Sequence, residues 1–138
     1  MPRLARPPPI PTLPTLAVRP VFLSLLHIQM PVGALTSILH RITGVLLAVS
    51  APLAVYLLGR SLTDEAGFIQ VTLLFAHWAA KSVMVILVWA LAHHVLAGIR
   101  HMLMDVEIGS PLRMARRSAW AVNLGGVTVA LLAAGALL

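Results

Sequence analysis

The sequence contains no cysteine and very little charge. Of its 138 residues, 10% are charged and only four are acidic. The absence of cysteine excludes disulfides and thiolate metal sites within this chain, although it says little about the compartment. The shortage of charge excludes the polar surface that a soluble domain of this length requires. With 59% hydrophobic residues, the composition is instead typical of a membrane protein.

The excess of basic residues does not indicate a nucleic-acid partner. The formal net charge is +6, but the basic patches of nucleic-acid-binding proteins lie on polar, soluble surfaces. Here seven arginines fall in two places, three before residue 20 and four between residues 100 and 117, whereas residues 60–81 carry only Arg60 and Lys81. Basic residues concentrate on the cytoplasmic side of membrane proteins. We therefore expect the N-terminus and the last connection to be cytoplasmic.

Proline dominates the start of the chain, where residues 6–20 read RPPPIPTLPTLAVRP. This density of proline forbids regular helix and predicts an extended cytoplasmic arm over residues 1–30. The arm lacks the compact layout and cleavage site of a signal peptide. Its arginines without acids leave organelle targeting open as an alternative.

Three long apolar segments follow the arm. They predict helices at about residues 31–59, 71–104 and 117–138, because about 20 apolar residues at ~1.5 Å each span a bilayer. Pro31 suits a helix start, and Pro52 predicts a kink within the first span. The expected fold is all-α, with a membrane anchor of three helices formed by residues 31–138.

Polar residues interrupt the first predicted span. Ser37, His40, Arg41 and Gly44 are spaced i, i+3, i+4 and i+7, so they share one side of a helix. An arginine at the bilayer midplane costs ~2.5–3.5 kcal/mol on insertion scales, and less near a helix end. Arg41 therefore either extends to lipid phosphates or, with its polar neighbours, binds a buried anion or polar ligand.

A second polar strip runs along the second predicted span. His94, Gly98, His101 and Asp105 lie within about 40° of one line, and His94 is ~10 Å deeper than His101. Gly98 removes a side chain where a bulky group approaches the helix. A neutral imidazole in an apolar bundle is typical of a haem ligand. The alternative for His94 is a hydrogen bond to a neighbouring helix.

The neighbours of these residues have simpler expected roles. His93 points about 100° away from His94 along the same helix, so we expect it to form a hydrogen bond between helices. We expect Asp105 to balance the charge of Arg100 at the helix end.

Two motifs together carry a family resemblance. SILHRITG at 37–44 and HHVLAGIRHMLMD at 93–105, preceded by RP at 19–20, resemble the cytochrome b membrane-anchor subunit of succinate dehydrogenase. The resemblance covers about residues 19–138 and includes the layout of three helices. It implies a respiratory-chain and tricarboxylic-acid-cycle complex in the bacterial inner membrane, or alternatively in the mitochondrial inner membrane.

The resemblance also implies a cofactor and partners. His94 would be an axial ligand of haem b, and a second small membrane anchor would supply the other axial histidine. His40 and Arg41 match residues near the haem propionates, and Arg100 and His101 match a basic end with a propionate or quinone-pocket role. With its partner, the chain would hold the flavoprotein and iron–sulfur subunits at the membrane, among lipids.

The implied substrate site belongs to ubiquinone, with Ser37 and Arg41 as its contacts. The chain has no flavin or dicarboxylate site, so it would be a non-catalytic subunit at the quinone-reducing end of the enzyme. Two alternatives remain open. One is a cytochrome b subunit of another membrane dehydrogenase, which generally needs at least four membrane histidines on facing helices. The other is a structural anchor without haem.

Overall fold

The computed structural model describes residues 30–138 and contains four α-helices there. They are α1 (Val32–Ser61), α2 (Glu65–Ala76), α3 (Trp78–Asp105) and α4 (Leu112–Leu137). The first, third and fourth are long and apolar enough to cross a membrane, whereas α2 is shorter. The predicted all-α fold with three spanning helices is therefore confirmed for this part of the chain. The predicted N-terminal arm, apart from Met30, lies outside the described residues.

The first helix begins after Pro31, whose backbone is extended at φ −64° and ψ 145°. Proline fits a helix start because it lacks the N–H group that the first turn leaves without a partner. The helix remains continuous through Pro52 and ends at Ser61, two residues beyond the predicted end.

A short helix that the sequence analysis did not separate from its neighbours follows the first span. The carboxylate of Asp64 accepts a hydrogen bond from the backbone N–H of Gly67 at 2.5 Å, which caps the start of α2. Gly67 is buried, and a side chain there would overlap the carbonyl oxygen of Arg60. The Asp64 cap starts α2 immediately after α1 ends, and Gly67 allows the start of α2 to pack closely against Arg60.

His77 separates α2 from α3. Its backbone is extended, at φ −73° and ψ 136°, and its side chain accepts a hydrogen bond from the N–H of Ala79 at 3.2 Å. The second span, predicted as one helix from residue 71, therefore begins at Trp78 in the structure. A side chain that satisfies a free N–H of the first turn stabilises a new helix start.

The connection between α3 and α4 is a tight turn. The N–H of Ile108 donates to the carbonyl oxygen of Leu103 at 2.9 Å, and that of Glu107 donates to Met104 at 3.0 Å. This is the Schellman pattern, and it places Glu107 in the left-handed region at φ 62°. The fourth helix then begins at Leu112, five residues before the predicted start.

Small residues line the contact between α3 and α4. The buried faces carry Ala90 and Ala97 on α3, and Ala119 and Gly126 on α4. A Cβ at Gly126 would lie 3.2 Å from the Cβ of His93, so the two backbones are close. Small residues permit this approach between membrane helices. Most of the large apolar side chains are exposed instead.

Candidate functional site

Three histidines from two helices form one cluster. The ring of His40 on α1 stacks on the ring of His94 on α3, with centroids 4.2 Å apart and planes inclined by 15°. The ring of His101 meets His40 edge-on at 5.1 Å. The structure therefore brings together the deep histidine of the second predicted span, its neighbour two turns later, and the histidine of the first span.

Two glycines lie against the stacked rings. A Cβ at Gly44 would lie 3.0 Å from Cε1 of His94, and a Cβ at Gly98 would lie 3.5 Å from Nε2 of His40. The bulky group expected to approach Gly98 is thus the imidazole of His40 from the same chain. His94 of α3 thus lies beside Gly44 of α1, and His40 of α1 lies beside Gly98 of α3.

One nitrogen of His94 is held by the backbone of α1. Its Nδ1 lies 3.1 Å from the carbonyl oxygen of His40 and 3.4 Å from Oγ1 of Thr43. Because a carbonyl only accepts hydrogen bonds, this contact assigns a proton to Nδ1, and the neutral ring then carries its lone pair on Nε2. A histidine that binds a metal generally donates its other N–H to such a partner.

The cluster is not a metal cage made by this chain alone. Within residues 30–138, no group of three or more histidine, aspartate or glutamate side chains is arranged to hold a metal ion. The half-buried ring of His94 instead offers one nitrogen, Nε2, as a metal ligand. Such a donor suits a group whose remaining ligands come from elsewhere.

His93 faces the opposite helix. Its Nε2 donates to Oδ1 of Asn123 on α4 at 3.1 Å, and its ring is 1% exposed. The predicted hydrogen bond between helices is confirmed. The hydroxyl of Thr36 on α1 also contacts the same Oδ1 at 3.1 Å, so the amide of Asn123 joins three helices.

Sequence analysis missed Thr36, Thr43 and Asn123. The two threonines are fully buried and lie seven residues apart on α1, next to the strip that contains Ser37 and Gly44. Their spacing was a detectable signal, and so was a lone asparagine within the apolar third span. Threonine and asparagine are tolerated in many positions of spanning helices, so neither identifies a partner before the helices are packed.

The expectation that Asp105 balances Arg100 is wrong: among the described residues, these two side chains form no salt bridge. Arg100 is 7% exposed and points to α4, where it donates to the hydroxyl of Ser118 at 3.0 Å and to the carbonyl oxygen of Ala115 at 3.1 Å. Asp105 is exposed. The close approach of α4 offers neutral acceptors to Arg100, which therefore links α3 to α4 near the helix end.

Arg41 lies at the outer edge of the polar strip on α1. It is exposed and lines an open cavity of about 280 Å³ with Ile42, Val45 and Leu46. Ser37, one turn earlier, is half-buried. The strip predicted to share one side is thus divided, because His40 faces α3 while Arg41 faces outward. The strip covers about 100° of the helix circumference, enough to separate its two edges.

A different cavity lies toward the other end of the bundle, between α1, α2 and α3. Its volume is about 370 Å³, and mostly apolar side chains such as Leu53, Phe75 and Met84 line it. None of the predicted site residues lines it. The apolar cavity is therefore separate from the histidine cluster.

A family model and curated relatives point to the same family. Residues 16–134 match the family described as succinate dehydrogenase/fumarate reductase transmembrane subunit. A succinate dehydrogenase cytochrome b556 subunit of Paracoccus denitrificans is 32% identical over 114 residues, covering 83% of this chain and 88% of the relative. One of Coxiella burnetii is 37% identical over 108 residues, covering 77% of this chain and 86% of the relative.

Proposed function

Since the chain belongs to the succinate dehydrogenase/fumarate reductase transmembrane subunit family, as a cytochrome b anchor of succinate dehydrogenase, we propose that it binds haem b together with a second small membrane anchor. The observation that carries this proposal is the orientation of His94. Its Nδ1 is engaged by the carbonyl oxygen of His40 at 3.1 Å, so its Nε2 is left as the donor for iron.

The surroundings of His94 fit a haem site. When bound, haem b supplies a one-electron carrier. His94 would hold it through Nε2, and His40, Arg41 and His101 would provide hydrogen-bond donors to its propionates. The stacked rings support this for His40, because they place its donor at the depth of the His94 imidazole on α3.

The same end of the bundle would contribute to ubiquinone reduction. Ser37 and Arg41 offer a hydroxyl and a guanidinium, which donate hydrogen bonds to a quinone carbonyl oxygen as it gains negative charge. The open apolar groove beside Arg41 supports this assignment, because Ile42, Val45 and Leu46 offer a hydrophobic ring an apolar surface with no second charge. The side chains of this chain would orient the quinone and stabilise its developing charge.

Assembly and orientation complete the proposal. The second anchor would cover the exposed flank of α1, where Val45 and Val49 are 64% and 72% exposed. The flavoprotein and iron–sulfur subunits would dock on the side that carries Arg113 and Arg117. By the distribution of basic residues, this side and the N-terminus are cytoplasmic in a bacterial inner membrane. The mitochondrial inner membrane is the alternative location.

The haem proposal is tested on the purified, intact complex by a reduced-minus-oxidised visible spectrum. We expect a b-type band in the wild type and its weakening or loss in His94→Leu, because the variant removes the nitrogen donor. His77→Asn is the control, since it changes a histidine that caps α3 away from the cluster and keeps an acceptor for the N–H of Ala79. An unaltered low-spin haem in His94→Leu contradicts this assignment, and a wild type without the band indicates an anchor without haem.

The quinone proposal is tested by two assays of the same preparation. We expect Arg41→Ala to reduce succinate:quinone activity on the order of 100-fold, the magnitude typical for loss of one donor to a developing oxyanion. Succinate oxidation with an artificial dye should change little, and Ser37→Ala should give the same pattern more mildly. Arg60→Ala is a matched control, because Arg60 lies in the last turn of α1, at the end far from the cluster, and donates to Gln70 of α2. Equal losses in both assays would indicate misassembly.

A further inference from the structure

The amide of Asn123 is a junction of three helices. Its Oδ1 on α4 accepts a hydrogen bond from His93 of α3 and contacts the hydroxyl of Thr36 on α1, each at 3.1 Å. His93 is 1% exposed and Thr36 is fully buried. The hydroxyl of Thr36 shares its proton with the carbonyl oxygen of Val32, 3.0 Å away. The proposed roles of the histidine cluster do not account for this network.

We propose that Asn123 is a positioning residue that sets the rotation of α3 and thereby aims His94 at α1. The inference rests on the proposed haem function. Consecutive residues of a helix point about 100° apart. When the amide of Asn123 fixes the direction of His93 toward α4, the direction of His94 is fixed as well, toward the carbonyl oxygen of His40 at 3.1 Å.

Apolar packing alone does not fix this rotation at His93. The hydrogen bonds of Arg100 to Ser118 and Ala115 restrain α3 about two turns further along, near the helix end. The seam between α3 and α4 consists largely of alanine and glycine, and lipid is as apolar as the helix surfaces it would replace. A hydrogen bond is directional, and a buried imidazole that loses its partner pays a desolvation penalty. His93 depends on one contact, because its Nδ1 is buried and has no hydrogen-bond partner among residues 30–138. Rotating α3 away from Asn123 would leave both ring nitrogens unsatisfied.

A change at Asn123 would alter the orientation of the His94 ring. Its Nδ1 reaches the carbonyl oxygen of His40 only in the present orientation, and the Cε1 of its ring fits beside Gly44 with little space. Outer contacts of a metal-binding histidine tune the metal as well as the affinity for it. A change at Asn123 should therefore alter the properties of the haem, and not only the amount of complex.

The test compares variants in the purified complex by haem midpoint potential and by the electron paramagnetic resonance signal of the ferric haem. We expect Asn123→Leu and His93→Leu each to shift both readouts, and the double variant to shift them no further than either single one, because the two residues act as a unit. His93→Gln, which retains an N–H donor, should remain closer to the wild type. Thr128→Val is the control on α4, since Thr128 is exposed and bonds only within its own helix, to Leu124.

If the leucine variants fail to assemble, Thr36→Val tests the same inference. This nearly isosteric change removes one contact to Asn123 and should give a smaller shift in the same readouts. Assembled variants with the wild-type potential and signal would overturn the inference, while the haem of the wild type still supports the proposed function. A wild-type complex without haem b would overturn both.

Discussion

At the scale of single residues, the candidate site depends on a backbone carbonyl and on glycines as much as on histidines. The carbonyl oxygen of His40 orients the ring of His94 and also accepts a hydrogen bond from the hydroxyl of Thr43 at 2.9 Å. Gly44 leaves the space that the His94 ring occupies, while Gly98 lies in ordinary contact distance of the His40 ring. The identity of the proposed ligand is therefore only part of what the site requires.

The two glycines give a matched pair of variants. We expect Gly44→Ala to lower haem affinity by about tenfold, as typical for disturbed outer contacts, because the added Cβ would lie 3.0 Å from the His94 ring. Gly98→Ala should have a much smaller effect, since its Cβ would meet the His40 ring at an ordinary 3.5 Å. Haem titration of the two purified complexes measures the difference. Equal affinities would show that the His94 ring has more freedom than this packing allows.

At the scale of elements, the apolar pattern predicted three spans but not the helix boundaries between them. A continuous apolar run from residue 71 predicts one helix, whereas the Asp64 cap and the extended backbone of His77 produce a separate α2. The signal for the cap was present in the sequence TDEAG at residues 63–67. The break at His77 carried no proline or glycine signal, so hydropathy could not locate it.

The turn after α3 offers a prediction about stability. Glu107 has φ 62° and Gly109 has φ 80°. Left-handed backbone costs a residue with a side chain about 1–2 kcal/mol. We expect Glu107→Gly to stabilise the turn by about 1 kcal/mol after the entropy of glycine in the unfolded chain is included. Gly109→Ala should destabilise it by a similar amount through the backbone alone, because a Cβ there has no neighbour within 4 Å.

Hydrogen–deuterium exchange of residues 103–112 in the complex measures both effects. Slower exchange in Glu107→Gly and faster exchange in Gly109→Ala are the expected results. If both variants exchange at the wild-type rate, the left-handed residues do not limit the stability of this turn.

At the scale of the whole molecule, three spanning helices place the connection that contains α2 and the turn between α3 and α4 on opposite sides of a membrane. The absence of native cysteine permits clean labelling of single introduced cysteines in this chain. We expect Thr63→Cys, between α1 and α2, to react with a membrane-impermeant maleimide in intact cells. Ser110→Cys, between α3 and α4, should react only after the membrane is permeabilised. The reverse pattern would invert the orientation inferred from the arginines.

The sequence by itself determined the membrane class, the three spans and the polar residues that belong to a family motif, because hydropathy and spacing are local properties of the chain. Only the tertiary structure decided which of these residues meet. It placed His40 against His94, directed Arg100 to α4 instead of Asp105, and joined Thr36, His93 and Asn123 in one network. Such contacts depend on how far each helix is rotated and shifted against its neighbours. That geometry is set by the packing of small residues and by directional hydrogen bonds between segments distant in sequence.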